Sequence, residues 1–137
     1  MNTYIDSSVL LRVILGAADA LEEWPRITQM FSSDLLQIEC MRTLERLRVV
    51  DRVDPQLIAF QRDVVMAVVS RARLSELSPL LVRRAGHPLP VPLKTLDAIH
   101  LVTANWWRER VTDLAFATHD LQLARAAREA GFQVLGG

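Results

Sequence analysis

The stretch Thr3-Tyr4-Ile5-Asp6-Ser7-Ser8-Val9-Leu10-Leu11 constrains the fold most, because it sets a carboxylate where an apolar extended run stops and a helical pattern starts. In an open α/β sheet, ligands sit in the crevice at the carboxyl ends of the strands, so an Asp that ends a strand is aimed at that crevice. Ser7 and Ser8 are good helix starters. Val9, Leu10, Val13, Ile14 and Ala17 then fall at offsets that make one apolar face. Taken alone, Asp6 is also an ordinary helix cap. Its meaning depends on which other acids the fold brings to it.

Downstream, helical and extended patterns alternate. A helix is expected over residues 20–31, with Leu21, Trp24, Ile27, Met30 and Phe31 inward and Pro25 tolerated near its start. Ser32, Ser33 and Asp34 read as punctuation, and Leu35-Leu36 as a very short strand or turn. A helix from about Ile38 to Val50 carries the stripe Ile38, Met41, Leu44 and Leu47. Its other face groups Glu39, Arg42, Thr43 and Arg46, which places Glu39 beside two guanidinium groups at a helix start. Asp54-Pro55 is a cap followed by a first-turn proline. The run Val68 to Ala72 reads as a buried strand, and Ser75 to Ala85 as a short helix closed by Gly86.

Alternating prolines make residues 87–92 a loop. The helix it delivers begins near Thr95, whose hydroxyl suits an N-cap, and runs to Trp107 with apolar residues around most of its circumference. Asp97 is then a carboxylate in the first turn of a buried helix, and must be paired, hydrogen-bonded or metal-bound. His100 has no spaced His or Cys partner, so it is expected to be a hydrogen-bonded core histidine rather than a metal ligand. Leu114 to Ala117 is a short strand that leads into Thr118-His119-Asp120. A helix from Leu121 to Ala130, burying Leu121, Ala124 and Ala127, ends at Gly131, and Phe132 to Leu135 forms a last strand. Such alternation argues for one α/β domain over residues 1–137, with a mostly parallel sheet flanked by helices.

Composition narrows the class. The 16 basic and 16 acidic residues cancel, which argues against a protein that grips nucleic acid mainly by a basic surface. Fifteen of the 16 basic residues are Arg, which suits bidentate contacts to phosphate, although a codon bias toward Arg explains the count as well. The single Cys40 forms no internal bridge and no zinc framework, so a reducing compartment, the cytoplasm, is expected. The run Val9 to Leu15 is short and broken by Arg12, so neither a signal peptide nor a membrane span is expected.

Asp6 and Asp120 each stand where a strand hands over to a helix, and Glu39 and Asp97 each stand near a helix start, so all four can face one crevice. Carboxylates about 4 Å apart at an effective dielectric near 20 repel by about 4 kcal/mol per ionised pair. Protons or a divalent cation must offset this. Hard oxygen donors select magnesium or manganese, and such an ion lowers the pKa of a bound water and draws in a phosphodiester. Each acid also has a structural alternative: Asp6 and Asp120 as caps, Glu39 as partner of Arg42, Asp97 as a favourable charge at a helix N-terminus. Asp63 and Asp113 are expected to be solvated or capping acids.

The stretches TYIDSSVLL, LLQIECMRTLERL, LKTLDAIHLVTA and FATHDLQLARAAREAGF resemble, in order and spacing, the PIN-domain family, and within it the VapC-type toxins of toxin–antitoxin pairs. The resemblance implies a compact three-layer fold and a metal-dependent endoribonuclease built from Asp6, Glu39, Asp97 and Asp120. It implies that Asp6, Asp97 and Glu39 hold one magnesium or manganese ion, with Asp120 orienting a second ion or the attacking water. Thr118 matches a polar position that supports the fourth acid, and Arg42, with Arg46 beyond it, would position the RNA backbone. A homodimer and inhibition by a small antitoxin follow from the same resemblance; adjacent Trp106 and Trp107 either add dimer surface or lie in the core. Two rivals stand beside this reading. One is a non-catalytic module whose acidic pocket receives an Arg from a partner; the other is a structure-specific DNA nuclease, for whose threading insertions the chain has no room. A nucleotide-binding domain is disfavoured, since neither GxGxxG nor GK[ST] occurs.

Overall fold

The computed structural model describes residues 1–137. Five strands, β1 (Asn2–Ile5), β2 (Gln29–Ser33), β3 (Arg73–Ser75), β4 (Ala115–Ala117) and β5 (Val134–Leu135), form one sheet in the order β3-β2-β1-β4-β5. Every pairing is parallel. Six helices accompany it: α1 (Ser7–Ile14), α2 (Leu35–Val49), α3 (Pro55–Arg71), α4 (Pro79–Ala85), α5 (Thr95–Arg108) and α6 (Leu121–Glu129). None is long and apolar enough to cross a membrane.

The central strand is the first in the chain, and its alternation builds both layers. Tyr4 points, with Phe31 and Phe116, into a cluster closed by Leu101, Trp107, Leu123 and Phe132 of the α5 and α6 side. Ile5 points the other way, with Ala115 and Ala117, onto Val9, Leu10, Leu36, Leu44, Ile58 and Val65 of α1, α2 and α3. Burial of each such large apolar side chain is worth about 1.5–3 kcal/mol, so a helix on each face is what the period-2 pattern demands. The chain travels from β1 to β2 to β3 in one direction, then returns through α5 to β4 on the other side of β1. That reversal opens a crevice beyond the carboxyl end of β1.

Several local expectations are corrected. Residues 20–31 do not form a helix: only Trp24–Arg26 make a 3-10 turn, and Gln29 starts β2. Ser32 and Ser33 are buried strand residues, because Ser32 donates its hydroxyl to the Ile5 carbonyl (2.6 Å) and its own carbonyl accepts the Trp107 indole N–H (3.0 Å). Polar residues read as punctuation are tolerated inside when such partners exist. Leu35-Leu36 open α2, so Glu39 lies in its second turn and not its first. Val68 to Arg71 complete α3, and the strand comes after them as β3. Ser75 to Ser78 precede α4, which Ser78 caps by accepting from the Leu81 N–H. Lys94, not Thr95, occupies the N-cap of α5 and makes no side-chain cap. Leu121 is 79% exposed; Leu123, Ala124, Ala126 and Ala127 form the buried face of α6. Gly131 ends that helix as expected, with the positive φ of +92° that its place requires. Trp107 lies in the core, while Trp106 is half-buried against it and edge-on to Trp107.

Candidate acidic site at the strand ends

Asp6 follows β1 directly and caps α1, and it is almost wholly buried. Burial of a lone carboxylate is prohibitive, so its partners matter. Oδ1 accepts from the Ser8 hydroxyl (2.6 Å) and the Val9 N–H (3.2 Å), while Oδ2 accepts from the Thr118 hydroxyl (2.6 Å). Thr118 in turn accepts from the Asp120 N–H (3.0 Å), and Ser8 accepts from the His119 N–H (2.9 Å). Two small hydroxyls thus lock the β1–α1 junction to the β4–α6 junction. Thr118 supports the first acid directly and the fourth through its backbone. The His119 ring is turned to the Gly136 carbonyl.

Asp120 caps α6 by accepting from the Leu123 N–H (2.8 Å) and remains exposed. It shares a cleft of about 330 Å³ with Asp97, Lys94 and Gln122. Asp97 is half-buried in the first turn of α5 with no hydrogen-bond donor to its carboxylate. Its carboxyl is pushed above the ordinary range, first by burial, then by the charge on Asp120, with further contributions of the same sign from Asp6 and Glu39 and an opposing one from His100. Asp97 therefore lies in the field of the other three acids. The same field reaches beneath α2: burial, then Glu39 and Asp6, push the buried Cys40 thiol up to about 12.

Glu39 meets no guanidinium. Its Oε1 pairs with His100 Nε2 at 2.6 Å, and His100 Nδ1 pairs with the Tyr4 hydroxyl at 2.7 Å. The expected pairing with Arg42 is replaced because His100, one turn after Asp97, faces α2 from inside, whereas Arg42 and Arg46 are exposed on it. His100 is the hydrogen-bonded core histidine expected, but its pairing with Glu39 was not legible. The one available signal was its i+3 spacing from Asp97. Ser8, legible as a helix starter, was not legible as a donor to Asp6, and nothing in the sequence marks Lys94 or Gln122 as lining the cleft. Asp63 and Asp113 are exposed and remote from this network, Asp113 in a turn with positive φ.

The donor set is all hard oxygen and mutually repelling, which fits a divalent cation in chemistry. In position, no three of these side chains converge closely enough to enclose one. Protein hydrogen bonds hold Asp6 and Glu39 in their places instead.

No curated protein gives a significant match to the chain. Among solved structures, the fold is similar to that of PAE2754 from Pyrobaculum aerophilum, with a TM-score of 0.60 at 19% identity, over 98% of this chain and 83% of that one. The family model described as the PIN domain matches residues 3–129, from the strand that carries Asp6 through the helix that Asp120 caps. The chain belongs to the PIN domain family.

Proposed function

We propose that this chain is a metal-dependent endoribonuclease whose site is built from Asp6, Glu39, Asp97 and Asp120, acting as a VapC-type toxin restrained by a cognate antitoxin. The observation that carries the reading is the cleft that Asp97, without a protein donor, shares with Asp120, whose junction Thr118 ties to Asp6. PIN domains are commonly metal-dependent nucleases, and the four acids would hold magnesium or manganese. Such an ion, when bound, supplies Lewis acidity at the phosphodiester and a water of lowered pKa. Asp6, fixed by Ser8 and Thr118, would supply a carboxylate already held in position. Lys94 lines the cleft with Asp97 and Asp120 and attracts a phosphate to it. Arg42 and Arg46, exposed beyond Glu39 on α2, extend that attraction along a backbone. Phosphate contacts carry no sequence information, so choice of RNA falls to the loops and to RNA shape.

Support for a protein partner, whether antitoxin or second copy, comes from exposed Leu57, Phe60 and Met66 on α3. Beside them runs an apolar groove of about 340 Å³ between Trp24, Met30 and Val68. The lone, buried Cys40 suits the cytoplasm.

Purified protein incubated with RNA and magnesium or manganese should cleave it, and a chelator should stop cleavage. Asp6→Asn and Asp97→Asn should each lose at least about a hundredfold in rate, the equivalent of a few kcal/mol of transition-state stabilisation. Full activity of either variant defeats the assignment. Sequencing RNA ends from expressing cells, against the Asp6→Asn control, would identify the substrate. The second reading, a binding module that receives a partner's Arg, is favoured by one observation, the lack of convergence of any three acids. It predicts tight capture of an Arg-bearing peptide and no metal-dependent cleavage.

A further inference from the structure

We propose that the hollow between the proline loop and the first turns of α6 is a subsite for one unstacked nucleobase of single-stranded RNA, with Arg125 favouring guanine over adenine. The inference rests on the reading of the chain as a ribonuclease, and it names the surface that chooses the sequence. The hollow, of about 340 Å³, is lined by Pro90, Val91, Pro92, Leu121, Gln122 and Arg125. That volume falls within the range of small-ligand sites. Pro92 and Gln122 also line the cleft that holds Lys94, Asp97 and Asp120. The two depressions share a wall, so a phosphate in the cleft and the base beside it can be held together.

The walls are set before a ligand arrives. Leu89, Val91 and Leu93 pack against the cluster under α5 and α6, which leaves the intervening Pro90 and Pro92 exposed. Each proline ring fixes its own φ, so the segment keeps its course. Gln122 clamps it to α6 by donating an Nε2 hydrogen to the Pro92 carbonyl at 2.5 Å. On the other wall Leu121 is 79% exposed, directly after the Asp120 cap. A single exposed leucine is ordinary. This one stands one turn before Arg125, on the same helix face, and Arg125 makes no ion pair.

A flat base suits such walls, because the proline rings and Leu121 offer apolar contact to its face and the guanidinium offers N–H groups to its edge. Single-stranded RNA is recognised through bases splayed out of the stack. Arginine carries donors only. Guanine presents it with two acceptors, O6 and N7, whereas adenine presents one acceptor beside an amino donor.

The test titrates isotope-labelled protein, without metal, with guanosine monophosphate, adenosine monophosphate and inorganic phosphate, read by NMR at the Leu121 methyls and the Arg125 Nε–H. The guanine nucleotide should shift both signals saturably, and the adenine nucleotide should bind about tenfold more weakly. Phosphate alone should leave the Leu121 methyls unmoved. Arg125→Ala should abolish the difference between the two nucleotides, and Leu121→Ser should weaken both. Both positions are exposed, so both variants should keep the wild-type melting temperature. The proposal is overturned by an absence of saturable shifts with the guanine nucleotide, by equal affinities for the two nucleotides in wild type, or by phosphate shifts that match those of the nucleotide. Concentration-dependent shifts at these residues without nucleotide would assign the hollow to a second copy of the chain and overturn it too. If wild type cleaves no RNA with magnesium or manganese, the functional reading fails, and the titration decides the subsite separately. If it cleaves RNA but fails the titration, only the subsite is lost.

Discussion

The β1–α1 junction and the first turn of α5 each offer one carboxylate to the same crevice, and they treat it in opposite ways. Asp6 is buried but receives three hydrogen bonds, so its charge is solvated by protein. Asp97 is only half-buried, receives none, and is repelled by Asp120, Asp6 and Glu39. Burial is the first cause of the cost at Asp97, and at Asp6 three donors offset a burial that is deeper still. Asp6 stabilises the fold by holding two junctions together. Asp97 carries a charge that His100 offsets only in part and that no protein donor solvates, and that is a property a cation-binding position needs.

The contrast can be broken most sharply at Asp6. Asp6→Ala removes the cap of α1 and leaves the Ser8 and Thr118 hydroxyls without their acceptor. It should cost about 2–4 kcal/mol in urea unfolding, and a loss under about 0.5 kcal/mol would mean that the junction is not held as described. Thr118→Val keeps the shape but orphans Asp6 Oδ2 and the Asp120 N–H, so about 1–3 kcal/mol should be lost.

Asp97→Asn should act with the opposite sign. The folded protein holds the Asp97 proton more tightly than the unfolded chain does, so the ionised side chain lowers stability once pH rises above the ordinary value of 3.8 and through the raised folded one. At neutral pH the variant should melt about 2–4 °C above wild type, and the gain should vanish as pH falls below the ordinary value. A variant that melts lower at neutral pH would show that Asp97 has a favourable partner after all. The smallest effect belongs at Leu121, which the amphipathic pattern assigns to the core but which is exposed. Leu121→Ser should change unfolding free energy by no more than about 0.5 kcal/mol.

The elements that were legible are those with a local cause. Asp6, Asp54 and Asp120 cap the helices they precede, Gly131 closes α6, and the apolar run that stops at Asp6 is β1. The segment around β2 was not legible. Met30, Phe31, Ser32 and Ser33 have no period of their own, because a strand between two others in a parallel sheet is covered on both faces and shows no alternation. The partner of Glu39 was hidden for a related reason. Spacing along α2 ranks Arg42 first, while His100 lies 61 residues away in the chain.

By itself, the sequence determined which acids stand at element junctions and that strands alternate with helices, since caps, turns and side-chain periodicity act over a few residues. Only the tertiary structure decided which of those acids feel one another and which partner each one keeps. Those choices arise from strand order and from packing across the sheet, where a carboxylate takes whatever donor the opposite layer brings within hydrogen-bond reach.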